Sequence, residues 1–448
     1  MYKLPKKLKS IAFAFMALGL VCLVIGFIST PHTIEEVKAL EAAHASHGGG
    51  HEAENTHDTD HHAHAESSHD AHGGDAHYEH ILHQYHNKPW AAIYVAAFFF
   101  FMIALGTLAF YAIQHAAQAG WSPLLFRVME GITAYLLPGG IIMFVLLALS
   151  ATHFNHLFVW ADHAVVDPTS EKFDALIAGK HSWLNAGWFL VRAAIFLIGW
   201  NLYRHFSRKY SLKQDEEPTG NVWYKKNFKI SAIFLVFFIY TESMMSWDWI
   251  MSFDPHWFST LFGWYVFASM FVSGITVIAL VTIVLKSQGY LEQVNTSHIH
   301  DLAKFMFGIS IFWTYLWFSQ FMLIWYSNIP EEVTYFITRI NDFKLPFFGM
   351  VAMNFLFPVL VLINTDFKRI NWLIVIAGTV ILLGHYLDVF NMVMPATVGK
   401  SWFIGAAEIG ALFFFLGLFI FVVFNALTKS PLEAKGNPLL GESKHFHY

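Results

Sequence analysis

Two carboxylates, Glu242 and Asp248, stand six residues apart in one strongly apolar run, and Asp254 follows at its end. Another apolar run carries His385 and Asp388, three apart, so on a helix they share a face one turn from each other. Glu408 and Arg192 stand in two further runs. Ionisable groups at such positions are expensive and mark function by default. A carboxylate and an imidazole can accept the two protons that a quinol releases, or relay protons from other sources. The aromatic residues nearby (Trp247, Trp249, Trp257, Phe258, Trp264, Tyr265) could cover a quinone, with Asp248, Trp257 and Tyr265 as its candidate contacts. The competing reading is a static network, for instance Arg192 neutralising one acid. Glu242 and Asp248 point about 120° apart on an ideal helix. One is therefore expected to face the bundle interior and the other a partner subunit.

The elements that position these residues are membrane spans. The chain has 448 residues, 56% hydrophobic and only 13% charged, against roughly 25% charged in soluble domains. A span needs about 20 apolar residues. Ten such runs are read, at roughly 10–29, 90–113, 128–150, 184–203, 229–251, 260–285, 304–327, 347–366, 371–393 and 402–427. The fold class is all-α, a polytopic transmembrane helical protein. The first run follows Lys3, Lys6, Lys7 and Lys9 and reads as a retained signal anchor. With both termini inside, the inner segments hold 19 of the 27 Lys and Arg residues. That bias predicts ten spans with both ends in the cytoplasm.

Several chemistries are excluded. Cys22 is the only cysteine, which removes cysteine-ligated Fe–S clusters and c-type haem attachment. Outside one insertion, only His385 lies well inside a span, so paired haem ligands are lacking. No phosphate-binding loop is present. A net charge of -5 points to no nucleic-acid partner. No cofactor is expected to be firmly bound.

The insertion covers residues 30–88. Fourteen of the 26 histidines lie between His32 and His86, with almost no large apolar residue between Leu40 and Ile81. No core can form there, and disorder is expected on the periplasmic side, with a short helix over Thr33 to Ala45. His61, His62 and His64 could weakly hold Zn²⁺, Cu²⁺ or Ni²⁺. A solvated polar loop is the plainer reading. His153, His156 and Asp162 near a span end are expected to cap or line the interface. Asn354 with Pro358 predicts a kink.

Four stretches carry a family resemblance. They are Thr-Glu-Ser-Met-Met-Ser-Trp-Asp-Trp-Ile-Met-Ser-Phe-Asp-Pro-His-Trp-Phe-Ser-Thr-Leu-Phe-Gly-Trp-Tyr from Thr241, Phe-Trp-Thr-Tyr-Leu-Trp-Phe-Ser-Gln-Phe from Phe312, Trp-Tyr-Ser-Asn-Ile-Pro-Glu-Glu from Trp325, and His-Tyr-Leu-Asp-Val-Phe-Asn-Met-Val-Met-Pro from His385. Together they resemble the F-subunit family of bacterial alternative complex III, a quinol:electron-carrier oxidoreductase, within the polysulfide-reductase/NrfD-like membrane proteins. The resemblance implies two four-helix bundles (spans 2–5 and 6–9) flanked by spans 1 and 10. The corresponding segments are 1–29, the insertion 30–88, 89–259, 260–394 and 395–448. It implies partners as well: a quinol-site sister subunit, an Fe–S subunit and multihaem cytochrome c subunits, with surrounding lipids. Menaquinone would be the quinone, with haem c and Fe–S clusters on the partners. The sister subunit has histidines where this chain has Glu242 and Phe258, so the resemblance implies a proton path or scaffold here rather than quinol oxidation. A stand-alone ion-coupled secondary transporter is the rival from another class.

Overall fold

The computed structural model describes residues 2–47, 72–218 and 220–447; His61, His62 and His64 lie outside the described residues. The described residues hold helices and no strand. Among the described residues ten helices are long and apolar enough to cross a membrane: α1 Lys6–Ile28, α2 Tyr78–Ala116, α3 Pro123–Ala151, α4 Ala186–Glu216, α5 Val222–Phe253, α6 Phe262–Ser287, α7 Thr296–Ser327, α8 Lys344–Leu362, α9 Asn371–Thr397 and α10 Ala406–Leu427. The protein is thus an all-α, multi-pass helical membrane protein.

Several helices overrun their apolar runs. α4 continues to Glu216 through Ser-Arg-Lys-Tyr-Ser-Leu-Lys-Gln-Asp-Glu, a stretch rich in residues that keep helical geometry in water. Prolines shape others. A 3₁₀ turn at Thr133–Tyr135 precedes Pro138 in α3, because the proline lacks a donor and its ring crowds the carbonyl four residues back. In α8 the expected kink is a π-helical turn, Ala352–Leu356, immediately before Pro358. Sequence reading also overlooked a helix at Pro330–Asn341, although Pro330 at its first position and Glu331 and Glu332 in its first turn are start signals.

α2 and α6 form the centre, with 94% and 89% of their apolar windows buried, against 28–33% for α4, α5, α7 and α8. Helices α2 to α5 pack in sequence order, and α5 closes back on α2; α6 to α9 do the same, with α9 closing on α6. The rings meet where α2 crosses α6. A Cβ on Gly106 would lie 2.3 Å from the Met270 carbonyl oxygen, and one on Gly274 would lie 2.6 Å from the Thr107 nitrogen. α1 pairs with α10 through small residues. A Cβ on Gly19 would meet the Phe414 nitrogen at 2.4 Å, and one on Gly410 the Leu23 nitrogen at 2.7 Å. Close backbone approach of this kind replaces a hydrophobic drive inside lipid. Gly19→Leu is therefore expected to push α1 off α10 and destabilise the chain by about 1–3 kcal/mol. The midpoint of detergent-induced unfolding measures this, and an unchanged midpoint contradicts it.

Candidate functional site

The apolar core of the second bundle encloses a chain of polar side chains. His385 and Asp388 on α9 are both fully buried, and His385 Nδ1 lies 3.5 Å from Asp388 Oδ2. Their three-residue spacing puts them on one face, as read from the sequence. Asp388 accepts hydrogen bonds from the Tyr265 hydroxyl of α6 and from Trp313 Nε1 of α7 at 2.9 Å. The same His385 Nδ1 also meets Ser269 Oγ of α6 at 2.8 Å and the Asn354 amide at 3.5 Å. His385 Nε2 and Asn354 Oδ1 are buried without a hydrogen-bond partner. Asn354 sits within the π-helical turn of α8, a feature that widens a helix and often marks function. The helices fit closely here, since a Cβ on Gly384 would fall 2.1 Å from Asn354 Oδ1.

Hydroxyls continue from His385 along α6. Ser269, Ser273 and Thr276 are buried at positions i, i+4 and i+7, one face of a helix covering about 10 Å of rise. The Ser273 and Thr276 hydroxyls donate to Ser269 O and Val272 O, at 2.7 Å each. Towards the opposite end lies a cavity of about 80 Å³ lined by Asp254, Trp257, Tyr335, Thr338, Arg339 and Met392, among others. Arg339 is buried in the helix Pro330–Asn341 and donates to the backbone oxygens of Asn391 at 3.0 Å and Tyr335 at 2.8 Å. Trp257 stacks on Tyr335 at 4.1 Å between centroids. Burial pushes the Tyr335 phenol above its ordinary value, so it keeps its proton at neutral pH. Burial pulls the Arg339 guanidinium down, opposed by Tyr335, Tyr265 and Asp254. Liquid water occupies about 30 Å³ per molecule, so this space suits two or three waters.

Asp248 has a different character. Arg192 Nε donates to its Oδ2 at 2.6 Å, Arg192 Nη2 to Oδ1 at 3.1 Å, and Trp183 Nε1 to Oδ1 at 2.8 Å. The guanidinium also lies over the Trp183 ring, 4.1 Å from its centroid. Asp248 is the acid that Arg192 neutralises. Glu242, six residues earlier on α5, is 3% exposed, and its Oε1 has no hydrogen-bond partner. The expectation that one of these acids faces a partner subunit is corrected: both are buried, because α5 packs against α4 on one side and against α2 and α6 on the other. Glu408 stands apart from all of these at the start of α10, 3.9 Å from Lys88 of α2.

Sequence reading missed a second buried charge cluster. Glu130 of α3 accepts from Arg127 at 2.5 Å, Arg208 at 3.3 Å and Tyr111 at 3.1 Å, while Arg127 also pairs with Asp215. The three-residue spacing of Arg127 and Glu130 places them on one helix face, but Asp215 and Arg208 join them only through the packing of α4. The histidines near the other end gather ring to ring, His153 with His156 at 4.6 Å and His156 with His83 at 5.2 Å between centroids. Asp162 accepts from the Ala164 N–H at 2.9 Å, a capping role. Among the described residues no three His, Cys, Asp or Glu side chains converge as a metal site.

These features define a class: a polytopic membrane protein with a buried acid–imidazole–hydroxyl chain. No protein-family model matches this sequence, and no curated protein matches it.

Proposed function

We propose that this chain is an integral membrane subunit of a respiratory quinol:electron-carrier oxidoreductase of the alternative complex III type, and that it contributes a proton path. On this reading it lies in the bacterial cytoplasmic membrane, termini inside and the His-rich insertion in the periplasm, beside a quinol-oxidising sister subunit, an Fe–S subunit and multihaem cytochromes. The observation that carries the reading is the chain Tyr265–Asp388–His385–Ser269, buried in an otherwise apolar bundle. The Tyr265 hydroxyl donates to Asp388, and His385 Nδ1 stands 3.5 Å from Asp388 Oδ2 and 2.8 Å from Ser269 Oγ. Beside the chain, His385 Nε2 and Asn354 Oδ1 are buried without a hydrogen-bond partner, and a free imidazole nitrogen is a position at which a proton can be exchanged. The water-sized cavity beside Asp254 and Arg339 supports access from the insertion side. Asp248, held by Arg192 and Trp183, acts as a fixed anchor on this reading, and Glu242 as an acid available for exchange.

The π-helical turn at Asn354 also favours the second reading, an ion-coupled secondary transporter, since broken helices build transporter sites. Affinity purification of the tagged chain from its native membrane separates the two. Co-purification of c-type haem absorbance and Fe–S signals with the chain is expected. A chain that purifies free of both, and moves ions alone in liposomes, contradicts the proposal.

A further inference from the structure

A cavity of about 230 Å³ opens between α1, α2 and the start of α10, lined among others by Gly26, Thr30, Leu40, Lys88, Phe403 and Glu408. It lies where α1 ends at Ile28 and α10 begins at Ala406, the level of one membrane boundary. Lys88 is 6% and Glu408 4% exposed. Lys88 Nζ has no hydrogen-bond partner, nor has Glu408 Oε1; the two stand 3.9 Å apart. Glu408 Oε2 is occupied by the Gly405 N–H at 2.9 Å, and the ammonium lies over the Phe403 ring. An ammonium carries three donors, and leaving them unmet in a buried site is costly. Phe403 of the lining is exposed, as are Ile25, Ile28 and Ile404, the chain neighbours of lining residues Gly26, Ser29 and Gly405, an apolar surface suited to acyl chains.

We propose that this cavity binds the headgroup of a phosphatidylethanolamine lipid, its phosphate on Lys88 and its ammonium on Glu408. The pair has no net charge, so a headgroup bearing one charge of each sign matches it. An anionic headgroup can place its phosphate on Lys88 but brings no ammonium to Glu408, which stays unpaired beside added negative charge. A choline headgroup has no N–H to give Glu408 Oε1. The site stands independently of any proton path.

The test is native mass spectrometry of the full-length chain from nanodiscs with equal parts phosphatidylethanolamine, phosphatidylcholine and phosphatidylglycerol. One retained phosphatidylethanolamine is expected, favoured about tenfold over each of the others. Lys88→Met and Glu408→Gln should each weaken retention about tenfold. Ser29→Trp, which fills the cavity and leaves the ion pair in place, should abolish it, and keeps the test decisive where the charge variants do not fold. Equal retention of the three lipids, retention of a quinone in their place, or retention unchanged in Ser29→Trp overturns the proposal.

Discussion

Asp388→Asn is expected to slow proton movement through the assembled complex by about a hundredfold or more, the usual range for loss of a positioned acid or base. The substitution keeps the shape of the side chain but removes its capacity to hold a proton between Tyr265 and His385. It also has a structural cost. Asp388 accepts from Tyr265 on one oxygen and from Trp313 on the other, whereas an asparagine offers one oxygen and an amide. One buried donor is left unpaired, at about 1–3 kcal/mol. Asp388→Asn with Tyr265→Phe removes that surplus donor. The pair of substitutions should restore most of the stability and none of the proton movement, as read from unfolding midpoints and from proton uptake per quinol oxidised. Proton movement that returns with stability would make Asp388 a packing residue.

Arg192→Met is expected to destabilise the chain by about 3–5 kcal/mol, because it strands Asp248 as a buried charge without its cation. The bonds at 2.6 and 3.1 Å from one guanidinium form a bidentate clamp, the stronger kind of ion pair. Adding Asp248→Asn to Arg192→Met should recover most of the loss, since the asparagine oxygen still accepts from Trp183 Nε1. Unfolding midpoints of the single and double variants measure the coupling. If both changes cost the same alone and together, the pair is no anchor.

The sequence made parts of this arrangement legible, for physical reasons. Ten apolar runs of spanning length leave few alternatives, and His385 and Asp388 had to share a face at their spacing. The sequence offers Arg192 as a partner for one acid; that it takes Asp248 rather than Glu242 depends on how α4 packs against α5, 56 residues along the chain. Ser269, Ser273 and Thr276 went unremarked because small hydroxyl residues are cheap within an apolar helix, bonding to their own backbone. Only the placement of His385 beside Ser269 gives them meaning. Arg339 stands between two apolar runs in the sequence, yet the helix Pro330–Asn341 folds it into the protein at 5% exposure.

The central claim is that buried acids of this chain carry protons while Asp248 only holds the bundle. Glu242 distinguishes a path from a scaffold most directly, since nothing pairs with its Oε1 and Glu242→Gln removes no partner from a donor seen there. The measurement is proton movement during quinol oxidation by the assembled complex in sealed liposomes, with Glu242→Gln beside the unaltered complex. The account predicts full assembly and a collapse of proton movement. Full assembly with both quinol oxidation and proton movement unchanged would contradict it and leave the chain a scaffold.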